Sequence, residues 1–319
     1  MTNNFLKKAF DFACRRILPI LLGIMFVLFF VGGPDYHSPR HFKTVWNLGH
    51  ILFFSLLPYY VFTQLKWLQG RFGRQRLMTM AVAIVIGILI EFVQHNFHRT
   101  PDAGDVFRDI IGGMVALFFL LPGRKHIRKK LLRLFQVATF CLVAVQAYPV
   151  IVAVSDELVA WDQFPVLSDF ETPWEIQRWH GNADISIDNS INLNGMHSLK
   201  VQLKTTRYSG VYLFYFPRNW AKAKSFQFSI CNPSDRVIRM TCRINDGEHD
   251  RRSNRYEDRF NRQFRFSKGW TTITIPISDI ENAPKGRKMD LKDITGVGFF
   301  VSKLTQPRVV YIDDVKLEE

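Results

Sequence analysis

Ionisable and polar residues interrupt an apolar stretch of the chain between Ile86 and Gly113. Such groups are costly to bury in an apolar medium, so they are usually paired, in contact with water, or functional. Their carboxylates, imidazoles and guanidinium groups are suited to proton transfer, anion binding and metal coordination. The polar residues of this stretch are Glu91, Gln94, His95, His98, Arg99, Asp102, Asp105, Arg108 and Asp109.

The spacing of these residues predicts two polar helix faces that meet across a short loop. Polar residues between positions 91 and 98 recur every three or four residues, and so do Asp105, Arg108 and Asp109, which places each set on one helix face. Asp105 could also cap the second helix. His50 adds a third group at the same level. Glu91 could be a general acid or base, or equally a structural partner that ties helices together.

Two kinds of ligand fit these residue types. A metal ion could be coordinated by helically spaced carboxylates and imidazoles, although the imidazoles could instead lie among lipid headgroups. Arg40, Arg99 and Arg108 could bind a phosphate or carboxylate, or simply contact headgroups; the headgroup of a phospholipid or of a polyprenyl phosphate would satisfy both interpretations. The candidate metal ligands are Glu91, His95 and His98, with Asp102 or Asp105 as a fourth.

The same residues carry a family resemblance. The segments IEFVQ and DVFRDIIGG, with Arg99 between them, resemble the VanZ-like family of small bacterial membrane proteins, whose signature is E-x-x-Q, then Arg, then D-x-x-x-N before a Gly-rich helix. WNLGH resembles the family's D-K-x-x-H, with Trp46 and Asn47 in place of Asp and Lys. The resemblance covers Leu18 to Leu121 and implies a role at the cell envelope. It implies Glu91, Gln94, Arg99 and Asp105 as catalytic or ligand-contact residues, with His50 and Asp109 secondary.

Five apolar runs surround this cluster and predict five transmembrane helices. Several runs are shorter than the roughly 20 residues of an average span, but flanking aromatic and basic residues can extend them. The first is expected to be a retained signal anchor. The runs are Ile17 to Gly32, Leu48 to Leu65, Leu77 to Val93, Val106 to Leu121 and Leu131 to Val154.

The basic residues indicate orientation in a membrane rather than nucleic-acid binding. Residues 1 to 154 contain 18 Lys and Arg against 6 Asp and Glu, whereas residues 155 to 319 contain 24 against 22. Most of the N-terminal excess lies in three clusters between apolar runs, as the positive-inside bias predicts for cytoplasmic segments. We therefore expect a bacterial cytoplasmic membrane protein with a cytoplasmic N-terminus and a periplasmic C-terminal domain.

The C-terminal half has the short alternating segments of an all-β fold. Eight predicted strands in about 155 residues indicate a jelly-roll β-sandwich. The predicted fold is thus an α-helical membrane bundle of five helices in residues 1–154, a connector in residues 155–165, and an extracytoplasmic sandwich in residues 166–319. The strands are HSLKVQLKT, GVYLFYF, KSFQFSI, RVIRMTCRI, RQFRFS, WTTITIPI, GVGFFVS and RVVYIDDVKL.

The order of short motifs in this half resembles carbohydrate-binding modules of the jelly-roll type and related galactose-binding-like domains. The motifs are an F-E near the start, the strand GMHSLKV, and the terminal YIDDV. The resemblance implies glycan recognition and a structural calcium ion at Glu171 and Asp314, the one cofactor considered. Alternatively, these carboxylates are ordinary edge-strand groups in solvent.

Aromatic residues could provide stacking faces for sugars, or they could form the sandwich core. The candidates are Tyr208, Tyr212, Tyr215 and Trp220; two sets alternate between positions 211 and 216, so one set must be core.

The long polar loop NDGEHDRRSNRYEDRFNR from Asn245 to Arg262 could be functional, or it could be solvated and self-paired. Its candidate ligand contacts are Arg251, Arg252, Arg255 and Tyr256.

These observations predict an envelope protein that binds, and could modify, a lipid-linked glycan or polysaccharide. The alternative is a non-enzymatic, membrane-anchored glycan-binding or scaffold protein. Cys231 and Cys242 would lie in an oxidising compartment and could form a disulfide bond, provided that their Cα atoms lie within about 7 Å.

Overall fold

The computed structural model describes residues 13–34, 38–64, 72–95, 102–252 and 254–318; the side chains of Ala13, Cys14 and His95 lie outside this description. The chain divides into two compact units, Met1–Ala153 and Val154–Glu319. The first unit is helical and the second contains the β-strands.

Five α-helices account for most of the described part of the first unit. They are α1 (Leu18–Leu28), α2 (Arg40–Gln64), α3 (Phe72–His95), α4 (Ala103–Val115) and α5 (Lys129–Gln163). A π-helical turn, Ala13–Ile17, precedes α1, a second one, Ala116–Leu120, continues α4, and a 3-10 turn, Pro122–His126, precedes α5. The helical nature predicted for this half is therefore confirmed.

Length and composition distinguish three of these helices. In the described ranges, Arg40–Gln64, Phe72–Gln94 and Lys129–Gln163 are long and apolar enough to cross a membrane. The first and fourth predicted spans correspond to α1 and α4, which have 11 and 13 residues. The N-cap of α4 is Asp102, whose carboxylate accepts a hydrogen bond from Gly104, and not Asp105 as the sequence suggested.

Glycine permits close helix packing around α4. A Cβ atom at Gly112 would collide with the carbonyl oxygen of Ile51 and with Phe54, both on α2. A Cβ at Gly113 would contact Ala83 of α3 at 3.4 Å. Small residues allow helix backbones to approach in this way, and the approach holds the polar residues of α4 against α2 and α3.

The predicted connector is helical. Residues up to Gln163 are the last turns of α5, and within the second unit Asp156 forms an ion pair with Arg178 at 2.8 Å, with side-chain exposures of 1% and 0%. Arg178 also donates to the carbonyl of Leu167 at 3.1 Å. These bonds satisfy two fully buried charges, as burial requires.

Eleven strands form two antiparallel sheets in the described part of the second unit. Sheet one has the order β3-β4-β11-β6-β9, with β1 also paired to β11, and sheet two has the order β2-β5-β10-β7-β8. The strands are β1 (Val166–Ser168), β2 (Trp179–Gly181), β3 (Asp184–Asp188), β4 (Ser198–Leu203), β5 (Tyr208–Leu213), β6 (Ser225–Asn232), β7 (Ile238–Asp246), β8 (Phe260–Phe266), β9 (Gly269–Pro276), β10 (Ile294–Ser302) and β11 (Arg308–Glu318). Two short helices, α6 (Gly247–Arg251) and α7 (Ile277–Glu281), follow β7 and β9. The predicted all-β sandwich is confirmed; β1 to β3 were missed because they have only three to five residues.

The sandwich core corrects one ligand-binding prediction. Trp220 is 0% exposed and stacks on Phe226, with ring centroids 5.3 Å apart and an interplanar angle of 21°. A fully buried ring offers no face to a ligand, so the prediction of Trp220 as a glycan contact is wrong. Cys231 and Cys242 are both free; Cys242 belongs to the core between the sheets, whereas Cys231 does not.

Candidate functional site

The outer face of sheet two presents aromatic side chains. In β5, Val211 and Leu213 belong to the core, so the alternation of a strand turns Tyr208 and Tyr212 outward. In β10, Phe299 is a core residue and its neighbour Phe300 faces outward. This resolves the alternation left open by the sequence only within the strand: Tyr212 faces outward, whereas Phe216, which alternates in the same set, is a core residue.

The outward rings contact one another on one surface, which we call the aromatic face (Tyr208, Tyr212, Phe214 and Phe300). The ring of Tyr212 is nearly parallel to those of Phe214 and Phe300, at 22° in both cases, with centroids 6.1 and 6.5 Å apart. Tyr208 meets Phe300 at 6.0 Å and 75° and is 52% exposed. A Cβ atom at Gly298 would collide with the Tyr212 ring, so the glycine allows that ring to lie flat on the sheet.

Polar groups border the aromatic face on the β7 side. The guanidinium of Arg243 lies 5.7 Å from the centroid of the Tyr212 ring, and its Nε donates to Asn245 at 3.1 Å. A cation over a ring of this kind is attracted to the π-electrons. Burial, with Arg243 and Arg259 nearby, lowers the pKa of the adjacent His249. Flat rings beside fixed hydrogen-bonding groups are what a sugar ring requires, because sugars have apolar C–H faces and polar edges.

The long loop after β7 is held at its base by ion pairs to Arg287, a residue outside the loop. Arg287 contacts Asp246, and its Nε lies 2.6 Å from Asp258. Burial acts to raise the pKa of Asp246, but hydrogen bonds from Arg287, Asp290 and His249 outweigh it and hold that pKa below its usual value. The hydrogen bond from Arg287 likewise lowers the pKa of Asp258. The carboxylates at the base of this loop are thus paired with a residue outside it, and the self-paired interpretation fits only pairs such as Arg252 with Glu248.

The predicted contacts in the loop lie at its rim. Arg252 pairs with Glu248, and with Arg255 and Lys285 it lines a pocket of about 390 Å³. Tyr256 is 65% exposed, next to Arg259 at 5.7 Å, and Arg251 is also exposed. These residues stay predicted ligand contacts.

The two carboxylates predicted to bind calcium, Glu171 and Asp314, are bonded to protein groups, and each has its own partners. Glu171 accepts backbone N–H bonds from Met196 at 2.7 Å and His197 at 2.9 Å. Burial acts against ionisation here, but these donors outweigh it and lower the pKa of Glu171. The carboxylate of Asp314 accepts from Gln227 and pairs with Lys316, both at 3.0 Å. The calcium ion stays a prediction, with protein donors already bonded to both carboxylates.

The helical unit brings most of the predicted polar residues together. His50 Nδ1 lies 2.8 Å from Asp109 Oδ1, and His50 Nε2 lies 3.5 Å from Asp105 Oδ2. Glu91 accepts from the backbone N–H of Asp102 at 2.8 Å. Arg99 and His98 lie outside the described residues, as does the side chain of His95. Among the described residues, His50 supplies the imidazole next to these carboxylates.

Other bonds of this cluster are structural. Gln94 donates to the carbonyl of Phe29 at 2.8 Å, which ties α3 to the end of α1. Arg108 pairs with Asp105 and donates to Gln146 of α5 at 3.1 Å. The remaining carboxylate oxygens and the His50 imidazole can exchange a proton or coordinate a cation.

Sequence reasoning missed Phe300 and Arg243 as members of the sheet-two surface. Phe300 belongs to the segment GVGFFVS, in which glycines and large residues alternate. That alternation was a usable signal, because a glycine beside an exposed ring marks a close approach of side chain to backbone.

Comparison with known proteins gives a result for the second unit. Residues 163–319 match the family model described as carbohydrate binding domain 30. No curated protein matches the chain. Among solved structures, an exo-β-agarase is 17% identical, with 48% of this chain and 24% of that chain covered and a TM-score of 0.39; the chain thus spans about a quarter of that protein.

Two further structures are similar to most of a single module. The family 11 carbohydrate-binding module from Clostridium thermocellum in complex with a β-1,3-1,4-mixed-linked tetrasaccharide is 18% identical, with 48% of this chain and 94% of that chain covered and a TM-score of 0.36. The family 30 carbohydrate-binding module of a cellulosomal cellulase of Clostridium thermocellum is 16% identical, with coverages of 44% and 91% and a TM-score of 0.34.

Proposed function

Because the C-terminal region is a carbohydrate-binding domain of the type described as domain 30, we propose that this chain binds a polysaccharide on the aromatic face of sheet two. We further propose that the helical unit anchors this domain in the bacterial cytoplasmic membrane, with the domain on the periplasmic side. The proposed partners are a polysaccharide and a membrane lipid or lipid-linked glycan.

One observation carries the glycan proposal. The rings of Tyr212 and Phe300 are nearly parallel and lie side by side on adjacent strands, so together they form a flat apolar surface. The guanidinium of Arg243, which Asn245 holds in place, supplies hydrogen-bonding groups at its edge. Stacked sugar rings would be stabilised by the apolar surface and oriented by the polar edge.

The anchoring proposal is supported by exposed apolar residues on a long helix. Phe140, Val145 and Ile151 of α5 are 68%, 64% and 62% exposed, and the most apolar part of α5 is only 17% buried. A contiguous exposed apolar surface of this kind fits lipid better than water. The basic clusters at the predicted cytoplasmic segments agree with this orientation.

The finer proposal concerns the helical unit itself. On the VanZ-like resemblance, Glu91, Gln94, Arg99 and Asp105 would contact the headgroup of a membrane lipid or lipid-linked glycan. The second candidate is a non-enzymatic anchored scaffold, and it is favoured by the bonds of Gln94 to Phe29 and of Arg108 to Asp105, which fasten helices. Glu91→Gln and Arg99→Ala separate the two: loss of cellular phenotype at normal protein abundance supports a site, whereas abundance that falls in proportion supports a structural role.

Glycan binding is tested with the intact chain in lipid nanodiscs. Its migration is compared in native gels that contain one soluble polysaccharide each, across a broad panel with calcium present. Retardation by at least one polysaccharide, lost in Tyr212→Ala, is expected; migration unaffected by every polysaccharide would contradict the proposal. Anchoring is tested separately: the protein should resist alkaline carbonate extraction, and protease added to spheroplasts should digest the β domain.

A further inference from the structure

We propose that the helical unit contains a binding site for a divalent transition-metal ion, formed by His50, Glu91 and Asp105 and oriented by Asp109. The site is independent of glycan binding by the β domain. It differs from the metal site that the sequence suggested, because its imidazole comes from α2 and not from the end of α3.

The geometry of the three side chains matches a coordination sphere. One ligand atom from each of His50, Glu91 and Asp105 lies within 4.8 Å of the others. His50 Nε2 and Asp105 Oδ2 are 3.5 Å apart; two ligands at about 2.0–2.1 Å from a tetrahedral zinc ion are about 3.4 Å apart. The residues come from α2, α3 and α4, so tertiary packing and not local sequence assembles the set.

Asp109 holds the imidazole in the orientation that a metal ligand requires. Its Oδ1 lies 2.8 Å from His50 Nδ1, and an ionised carboxylate can only accept, so Nδ1 carries the proton and Nε2 keeps its lone pair. That lone pair faces Asp105. A carboxylate bonded to the distal nitrogen of a ligating histidine is a common feature of metal sites.

Unsatisfied buried oxygens provide an independent indication of a cation-binding site. Among the described residues, Glu91 Oε1 and Asp109 Oδ2 are buried and have no hydrogen-bond partner, and Glu91 and Asp109 are only 6% and 0% exposed. Orphaned buried carboxylate oxygens are costly. Within the same described part of the unit, Arg108 is the basic residue paired with this cluster, through the other oxygen of Asp105. A bound dication would satisfy the remaining negative charge.

The ligand types indicate which ion would bind. One imidazole nitrogen and two carboxylate oxygens suit Zn²⁺ or Mn²⁺, whereas calcium generally takes 6 to 8 oxygen ligands. Three protein ligands leave a coordination position open, as in metal sites that also bind water or a substrate oxygen.

The test measures metal binding by the purified full-length protein in detergent. The protein is stripped with EDTA, desalted, equilibrated separately with Zn²⁺ and Mn²⁺, and analysed by plasma mass spectrometry and calorimetry. We expect about one ion per chain for at least one of the two metals. Stoichiometry near zero with both metals overturns the proposal.

Matched variants assign the ion to this site. Glu91→Gln and His50→Gln should each weaken binding at least 100-fold, and Asp109→Asn should weaken it by about 10- to 100-fold because it alters only the orienting residue. Asp162→Asn is the control: it removes an exposed carboxylate of α5 that is not among the ligands, and should bind like wild type. Unchanged affinity in Glu91→Gln overturns the assignment.

A measurement on the wild-type protein covers the case in which a variant fails to fold. X-ray absorption at the edge of the bound metal should show only nitrogen and oxygen neighbours, with the outer-shell scattering of one imidazole. Sulfur neighbours, or the absence of imidazole scattering, would place the ion elsewhere and overturn the proposal.

Discussion

The replacement of Tyr212 by alanine should weaken polysaccharide binding without unfolding the β domain. Tyr212 is in the middle of the aromatic face, with Phe214 and Phe300 at its sides and Arg243 within 5.7 Å of its ring centroid. Its side chain points away from the core, so its removal creates no buried cavity. The substitution should therefore lower the affinity for polysaccharide but leave the free energy of unfolding unchanged.

The magnitude follows from the area of one ring face. Covering roughly 50 Å² of apolar surface contributes about 1.3 kcal/mol at 25 cal/mol per Å², and a specific ring contact adds about 0.5–1 kcal/mol. The sum, about 2 kcal/mol, corresponds to binding weakened about 30-fold. Tyr212→Phe keeps the ring and loses only the hydroxyl, so its affinity should stay within about threefold of wild type.

Isothermal titration calorimetry with a polysaccharide that binds the wild type measures the affinities of Tyr212→Ala and Tyr212→Phe. Trp270→Ala is the control, because Trp270 is half-buried and lies opposite Cys231 on sheet one, away from the aromatic face; its affinity should not change. Gly298→Ala should weaken binding several-fold although it removes no ring, since the added Cβ would displace Tyr212. A folded Tyr212→Ala protein that binds within threefold of wild type would refute the reasoning.

Two further predictions concern stability, measured by urea unfolding with tryptophan fluorescence. Asp156→Ala should lower the free energy of unfolding by about 3–5 kcal/mol, because it leaves the buried charge of Arg178 without its ion-pair partner; a loss below 1 kcal/mol would contradict this. Arg287 lowers the pKa values of Asp246 and Asp258 from 3.8, so its stabilising effect is fully present above about pH 4 and is lost as the pH falls through the lowered values. Stability should thus fall less between about pH 5 and pH 2 in Arg287→Met than in wild type, and equal slopes would contradict the prediction.

The sequence predicted local structure better than long-range pairing. Strict alternation identified β4 to β11, because side chains of a half-buried strand alternate between core and surface. Trp220 was misplaced because it lies in an irregular segment between β5 and β6, where no period distinguishes core from surface.

The residues that meet at the aromatic face and in the cluster around His50 are brought together by the topology of the fold. Tyr212, Phe300 and Arg243 are far apart in the chain and meet only because β10 pairs with both β5 and β7. Similarly, the spacing of Asp105 and Asp109 predicted a shared helix face, and both contact His50. That this histidine would be their partner depended on the packing of α4 against α2, which local periodicity does not encode.

The central claim is that glycan is bound on the outer face of sheet two. It is tested most directly by an experimental structure of the chain with an oligosaccharide cut from a polysaccharide that it binds. We expect a sugar ring to stack on Tyr212 and Phe300, with a hydroxyl group within hydrogen-bond distance of Arg243. A sugar bound on the outer face of sheet one, or only in the pocket lined by Arg252 and Arg255, would contradict the claim.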